Sequence, residues 1–135
     1  MNKKIKHFKI EHFYRSDGTL VPFNFNKNFP IKVKRIFFLY GKKNKIRGDH
    51  AHKKCSQVFI PIRGNATLLI NTPKNEKKIT LKYKLKKGII VPPKYWCGVK
   101  FYDSEAIVMV VCDRYYEVND YIKNYNEYIK YLGAK

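Results

Sequence analysis

The chain has 135 residues, which is long enough for one domain with a substantial core and too short for two. Its formal net charge of +19 at pH 7 is typical of proteins with polyanionic partners, but the lysines are scattered through every segment. No apolar run reaches the roughly 18 residues that cross a bilayer, and the amino terminus lacks the apolar core of a signal peptide. We therefore predict a cytoplasmic protein whose partner is neither a membrane nor a nucleic acid.

The first 30 residues predict an extended arm. Residues 5–13 alternate loosely between apolar and polar, as a first strand would, and Asp17-Gly18 predicts a turn. Residues 19–25 contain Pro22, which fits an edge strand or an extended arm better than a central strand.

A strong strand follows at residues 31–40. Arg35 lies on one face of it among apolar residues, and Tyr40 ends it on the opposite face. Arg35 is either a rim residue at the start of the strand or a ligand for an anion inside the fold. Further short strands are predicted at residues 55–62, 66–71, 79–85, 89–91 and 105–112. Repeated short strands at this spacing predict an all-β barrel or sandwich over about residues 31–113.

The hydrophobic period changes near the end of the chain. From Asn119 or Asp120, either of which suits an N-cap, apolar residues recur at helical spacing. The pattern predicts one carboxy-terminal helix over about residues 119–132, packed against the barrel. The whole chain, 1–135, is thus predicted to form a single domain.

Two histidines lie in the segment that leads to the predicted strand at residues 55–62. In the extended run 47–52, His50 and His52 share a face because side chains alternate along a strand. The spacing resembles the first motif of the cupin superfamily, in which His-x-His is followed after four residues by Glu and after six more by Gly. Gln57 stands at the Glu position, and Gly64 is in register. The resemblance implies a cupin (RmlC-like jelly-roll) barrel.

The metal site of cupins is incomplete in this sequence. Its ligands are the two histidines, a carboxylate and a third histidine from a second motif, whereas Gln57 offers only a carboxamide, a poor replacement for an anionic ligand. The second motif should follow Gly88, and the residues there, which include Trp96 and Cys97, contain no histidine. The three cysteines show no CxxC spacing, so they predict reduced core thiols. We therefore predict no metal and no other cofactor.

Three segments in the same order resemble the WxcM-like sugar-nucleotide 3,4-ketoisomerases. They are residues 47–53 (RGDHAHK), 92–96 (PPKYW) and 115–125 (YYEVNDYIKNY), and the resemblance extends over nearly the whole chain. It implies an isomerase that moves the ketone of dTDP-4-keto-6-deoxyglucose from C4 to C3 through an enediol, in deoxysugar biosynthesis and without a redox cofactor. It also implies a homodimer.

The resemblance implies roles for individual residues. His50 and His52 act as acid and base, since imidazole exchanges protons near neutral pH, and which of them serves C3 stays open. Tyr40, at the end of a strand that borders the active site in this family, contacts the sugar or relays a proton, or is only a barrel aromatic. Arg47 and Arg35 are the candidates for the diphosphate, because a guanidinium binds phosphate oxygens through paired hydrogen bonds.

Three further residues complete the predicted substrate site. Trp96 either closes one side of the sugar pocket or anchors the core as the sole tryptophan. Gln57 hydrogen-bonds a histidine or the substrate. Lys53 adds positive field at the mouth of the site, or is simply solvated like Lys54.

Two other functions compete with this prediction. A metal-dependent cupin enzyme requires a carboxylate at position 57 and a histidine near position 96, and this chain has neither. A non-catalytic module that binds nucleotide sugars or polyanions accounts for the charge, but it does not account for paired histidines on one face.

Overall fold

Two antiparallel five-stranded sheets face each other in the structure, a computed structural model that describes residues 3–133. From edge to edge, the first sheet contains β1 (Lys6–Lys9), β9 (Lys87–Val91), β6 (Gln57–Arg63), β11 (Ile107–Cys112) and β4 (Arg35–Tyr40). The second contains β12 (Tyr121–Ile122), β5 (Ile46–His52), β10 (Trp96–Phe101), β7 (Asn65–Thr72) and β8 (Asn75–Lys82). A hairpin pairs β2 (Phe13–Arg15) with β3 (Gly18–Leu20), and the helix α1 spans Tyr125–Gly133.

The main core lies between the two sheets. Alternate side chains of each sheet point inward, and Val108, Val110, Leu68 and Val99 are representative, since each is at most 1% exposed. Burial of one such side chain contributes about 1.5–3 kcal/mol. This arrangement confirms the predicted all-β fold with one carboxy-terminal helix.

The outer face of the first sheet is covered by the amino-terminal segment. Ile60 and Val111 on this face are fully buried. They belong to a cluster that includes Ile10, Val21, Phe23, Phe29, Ile31 and Val33. Strand β11 is a continuous apolar run because both of its faces are buried. The described part of the predicted arm, residues 3–30, therefore packs against the first sheet of the same chain, and its β1 pairs with β9.

The outer face of the second sheet is covered by α1. Ala51, Trp96 and Ile122 on this face pack with Tyr128 of the helix. The Tyr128 side chain is fully buried, and its hydroxyl donates a hydrogen bond to the carbonyl of Lys94 at 2.9 Å. Within residues 3–133, no helix has both the length and the apolar character needed to cross a membrane.

The helix begins later than predicted. Val118–Asp120 is a 3-10 turn, and the next two residues form β12, which pairs with β5. The cap of α1 is Asn124, whose Oδ1 accepts a hydrogen bond from the backbone N–H of Glu127 at 3.1 Å. The predicted start at Asn119 or Asp120 is wrong because strand pairing with β5 overrides the helical period there.

The local structure differs from the sequence-based expectation at three other places. The sequence pattern does not predict β10, because two prolines precede it and Gly98 lies within it, and both residue types are unfavourable in strands. Residues 75–78, which precede the predicted strand at residues 79–85, belong to β8, where they are exposed. Residues 83–85, predicted as strand, form a 3-10 turn.

We predict that docking of α1 depends on one side chain. Tyr128→Ala should lower the free energy of unfolding by about 3–5 kcal/mol, because it removes a fully buried aromatic ring and its hydrogen bond. Ile129→Ala, at a neighbouring position that is 37% exposed, is the matched control and should change stability by about 0.5 kcal/mol or less. Urea unfolding measures the free energy of unfolding of both variants. Equal losses in the two would contradict the burial of Tyr128 between the helix and the sheet.

Candidate active site

A β-bulge shapes the strand that carries the two histidines. In the pairing of β5 with β10, His50 lies opposite Cys97 and Gly48 lies opposite Gly98, so Asp49 is an extra residue without a partner. Gly48 and Asp49 have φ values of 85° and 66°, in the left-handed region that glycine adopts freely and aspartate tolerates. Bulges re-aim side chains next to functional sites. Here five consecutive residues, 46–50, line one cavity.

Trp96 stabilises this bulge from the opposite side of the sheet. Its Nε1 donates a hydrogen bond to Asp49 Oδ1 at 2.9 Å, and its ring packs against Tyr125 and Tyr128. Trp96 is 7% exposed and does not line the cavity. The prediction that it closes the sugar pocket is wrong, because odd and even residues of β10 face opposite sides and Cys97 is the one that points inward. Of the two roles that the sequence allowed for Trp96, the structure shows the second, an anchor of the core.

The cavity has a volume of about 610 Å³ and opens between the two sheets. Its lining comprises Arg35, Phe37, Phe38, Leu39, Ile46, Arg47, Gly48, Asp49, His50, Gln57, Phe59, Cys97, Gly98, Val99, Tyr121 and Lys123. Three of these side chains are cationic and only Asp49 is anionic. The cavity therefore attracts anions. The structure brings His50, Arg47, Arg35 and Gln57 together here, and their roles toward substrate stay predictions.

The two histidines occupy different depths. The His50 ring lines the cavity, whereas His52 is 5% exposed and lies behind it, with ring centroids 5.0 Å apart. Tyr121 of β12 covers both rings, at centroid distances of 4.9 Å from His50 and 4.4 Å from His52. Only His50 of the pair is thus exposed to a ligand in the cavity.

His52 is held by a buried carboxylate. Its Nδ1 lies 2.9 Å from Asp120 Oδ2, and Asp120 also accepts hydrogen bonds from the backbone N–H groups of Lys54 and Cys55 at 2.7 and 3.3 Å. The Nδ1 proton is therefore donated to Asp120, while His52 Nε2 is buried and has no hydrogen-bond partner within residues 3–133. Sequence reasoning missed this function of Asp120 because the helical period suggested a cap. The available signal was that Asp120 lies within residues 115–125, one of the three segments that carry the family resemblance.

Burial determines the protonation of both imidazoles. Burial, together with the neighbouring His52, lowers the pKa of His50 to about 4. Burial also lowers the pKa of His52, although the hydrogen bond from its ring to Asp120 acts in the opposite direction. Both rings are consequently neutral at pH 7, and His50 can accept a proton from a ligand.

The donor groups do not fit the cupin metal site. Gln57 Nε2 donates to Cys112 Sγ at 3.5 Å, and the residue opposite His50 is Cys97, whose thiol pKa is raised to about 12 by burial. Elsewhere in residues 3–133, potential ligand atoms of His52, Cys55 and Asp120 lie within 4.8 Å of one another. The Asp120 oxygens there already accept three hydrogen bonds. That the protein uses no metal stays a prediction, and it rests on the chemistry of these donor groups.

Besides Trp96 and the buried His52, two further predicted site residues lie away from the cavity. Tyr40 is 72% exposed on the outer face of β4, whereas Arg35, Phe37 and Leu39 face inward. Its assignment as a catalytic residue is wrong because strand alternation directs it to the opposite side. Lys53 extends toward α1, with Nζ 5.8 Å from the centre of the Tyr131 ring, and does not line the cavity. This position does not support its assignment to substrate binding.

Comparisons with known proteins identify the family of this chain. The sequence model of the WxcM-like, C-terminal family (FdtA) matches residues 1–133. The chain belongs to this family. A relative named TDP-4-oxo-6-deoxy-α-D-glucose-3,4-oxoisomerase, from Aneurinibacillus thermoaerophilus, is 32% identical over 134 residues, which cover 98% of this chain and 94% of the relative. The predicted family and the predicted class of enzyme, an isomerase, are confirmed.

Solved structures support both the family and the fold. A histidine-to-asparagine variant of the 3,4-ketoisomerase QdtA from Thermoanaerobacterium thermosaccharolyticum, in complex with TDP-4-keto-6-deoxyglucose, matches with a TM-score of 0.90 and 26% identity. The match covers 100% of this chain and 98% of that one. The RmlC epimerase of Mycobacterium tuberculosis, 13% identical, matches with a TM-score of 0.74 over 87% of this chain and 66% of that one. The RmlC-like cupin fold is thereby confirmed.

We predict that His50 titrates well below an ordinary histidine. In an NMR pH titration its ring signals, assigned with His50→Asn, should change with a midpoint near 4 and not near the usual value of about 6.5. Because the unfolded chain then binds more protons than the folded chain between these pH values, this group's stabilising effect is present above about pH 6.5 and lost as the pH falls toward 4. A midpoint near 6.5 would contradict the burial of the ring.

Proposed function

We propose that this chain is a TDP-sugar 3,4-ketoisomerase that moves the ketone of dTDP-4-keto-6-deoxyglucose from C4 to C3 without a metal. The observation that carries the proposal is a neutral imidazole, His50, in the wall of a cationic cavity. The relative from Aneurinibacillus thermoaerophilus is named for the oxoisomerase reaction, and the QdtA variant binds TDP-4-keto-6-deoxyglucose. Both support the assignment of this substrate.

The reaction needs a base and an acid at adjacent carbon atoms. The ketone at C4 acidifies the hydrogen on C3, a base removes it, and the electron pair forms an enediolate across C3 and C4. When O4 has gained a proton and O3 has lost one, return of the carbon-bound proton to C4 leaves the ketone at C3. Because one proton leaves C3 and one arrives at C4, a single imidazole between the two carbons can carry it. No electrons are exchanged with the enzyme.

We assign the carbon-bound proton to His50. Its ring lines the cavity, and its lowered pKa makes the neutral form available at pH 7 and makes the protonated form a strong acid. His52 lies behind it and is oriented by Asp120 through the bond between Nδ1 and Oδ2 at 2.9 Å. His52 therefore positions His50 by ring contact, and it disfavours a lasting positive charge on His50.

The cationic side chains suit the diphosphate of the nucleotide. Arg47, which is exposed beside the bulge, and Lys123 line the cavity together with Arg35. A guanidinium binds two phosphate oxygens at once, and binding of the remote nucleotide positions the sugar ring against His50. The scattered lysines elsewhere are not required for this function.

The direct test is incubation of the purified chain with TDP-4-keto-6-deoxyglucose, followed by NMR of the product. We expect the carbonyl carbon signal to move from C4 to C3. Tight binding of the nucleotide sugar without conversion would instead favour the non-catalytic module. Failure to bind at all would contradict both functions.

The histidines should be separable from the nucleotide site by mutation. His50→Asn should lower kcat by about 10²- to 10⁴-fold and leave TDP affinity nearly unchanged, since only the proton carrier is lost. His52→Asn should also lower kcat, and it should lower the melting temperature because Asp120 loses a buried partner. Arg47→Ala should chiefly raise KM. Steady-state kinetics and TDP calorimetry distinguish these effects.

A matched control for these variants is His7→Asn, since His7 is exposed on β1 and does not line the cavity. It should behave as the unmodified chain does. Full activity of His50→Asn would remove this residue from the mechanism.

Turnover should not depend on a divalent cation. Gln57 stands where cupin metal sites need a carboxylate, and residues 88–98, where the third histidine is expected, contain none, so we expect chelation by EDTA to leave kcat unchanged. Addition of Mn²⁺, Fe²⁺ or Zn²⁺ after chelation should produce no increase. Loss of turnover that one of these ions restores would show that the donor-set argument is wrong.

A further inference from the structure

Tyr121 holds a position in the cavity to which the sequence assigned no role. Its ring covers both imidazoles, and its hydroxyl accepts a hydrogen bond from Arg35 Nη1 at 3.2 Å. Lys123 Nζ lies 5.6 Å from the centre of the same ring. The side chain is partly exposed and lines the cavity beside His50. A phenol and an imidazole therefore face one ligand from neighbouring walls.

The ketoisomerase reaction requires a second proton transfer that His50 does not perform. The oxygen on C4 begins as a ketone and ends as a hydroxyl, while the oxygen on C3 makes the reverse change. One proton must therefore leave O3 and one must arrive at O4. A single group that contacts both oxygens can carry this proton if it is able to donate and accept in turn, as a phenol can.

We propose that Tyr121 is a catalytic residue that carries the oxygen-bound proton from O3 to O4 while His50 carries the carbon-bound proton from C3 to C4. The inference rests on the proposed function. As His50 removes the C3 proton, the phenol O–H protonates O4, which gives the neutral enediol. The phenolate then takes the O3 proton as protonated His50 delivers its proton to C4. Both side chains finish in their starting protonation states, and no co-reactant is consumed.

The composition of the cavity favours Tyr121 over other groups. Among the described residues, Tyr121 supplies the only hydroxyl in the lining of this cavity. Asp49 is engaged by Trp96 Nε1, and the Cys97 thiol has a pKa raised to about 12 by burial. Tyr40, the phenol expected from the sequence, is 72% exposed on the other face of β4. The phenol that lines the cavity is therefore that of Tyr121 and not that of Tyr40.

Arg35 prepares the phenol for this task. Because the Tyr121 oxygen accepts a hydrogen bond from Arg35, its own O–H is left to donate to the substrate. The guanidinium also stabilises the phenolate that exists between the two transfers. The Phe37 and Tyr116 rings lie 4.7 and 5.2 Å from the guanidinium carbon and hold Arg35 in place.

The test compares Tyr121→Phe with Tyr102→Phe. Tyr121→Phe removes only the hydroxyl and retains the ring that packs on the histidines, so we expect kcat to fall by about 10²-fold or more with KM and TDP affinity changed by about threefold at most. Tyr102→Phe removes a hydroxyl from a ring that is 44% exposed and does not line the cavity, and it should keep full activity. Melting temperatures verify that both variants are folded.

A double-mutant cycle with Arg35→Gln provides a second measurement. If Arg35 acts on kcat through the phenol, Arg35→Gln should lower kcat in the unmodified chain and cause little further loss in Tyr121→Phe. Turnover by Tyr121→Phe within about threefold of the unmodified chain would overturn the proposal, and so would fully multiplicative losses of kcat in the cycle.

Failure of the proposed function would look different. If the unmodified chain does not isomerise TDP-4-keto-6-deoxyglucose, the ketoisomerase assignment falls first. If the unmodified chain is active and Tyr121→Phe is equally active, only the role of Tyr121 is lost.

Discussion

The Asp120 carboxylate joins three parts of the chain at one buried point. It accepts hydrogen bonds from the His52 ring and from the backbone N–H groups of Lys54 and Cys55. A buried carboxylate is costly unless its oxygens are bonded, and charge-assisted bonds of this kind are the strong ones. The three bonds attach β12 to the end of β5 and to the loop that follows it. Tyr121 is thereby held over the two imidazoles.

The bulge in β5 links this inner site to the packing on the outer face. Asp49 accepts the bond from Trp96, and Trp96 packs against Tyr128 of α1. One tryptophan thus contacts both the helix and the segment that aims His50 into the cavity. The pairing of β12 with β5 also determines where the helix can begin. Strand β5 therefore connects the Asp120 hydrogen bonds, the bulge and the start of α1.

The cavity combines cationic side chains with neutral imidazoles. Burial keeps His50 uncharged at pH 7, while Arg35, Arg47 and Lys123 remain available for an anion. Proton transfer and anion binding are consequently assigned to different residues. The carboxamide of Gln57, bonded to a thiol, leaves the site without the carboxylate that a cupin metal requires.

Strand alternation predicted much of the site. It correctly placed His50 and His52 on one face, and it put Arg35 on the same face of its strand as Phe37 and Leu39, because residues 50–52 and 35–40 alternate without interruption. The same alternation puts Tyr40 on the face opposite Arg35, and its assignment to the site went against that pattern. The bulge was not predictable from alternation, since it interrupts the period at Asp49.

The sequence by itself determined the all-β class, the location of the paired histidines, the family and the loss of the cupin metal motif. These features depend on local alternation and on residue identity at fixed spacing, which a single chain displays directly. Only the tertiary structure decided that Asp120 bonds His52 across 68 residues, that Tyr121 rather than Tyr40 faces the cavity, and that burial keeps His50 neutral. Such features arise from sheet order, register and the exclusion of water, which no local pattern encodes.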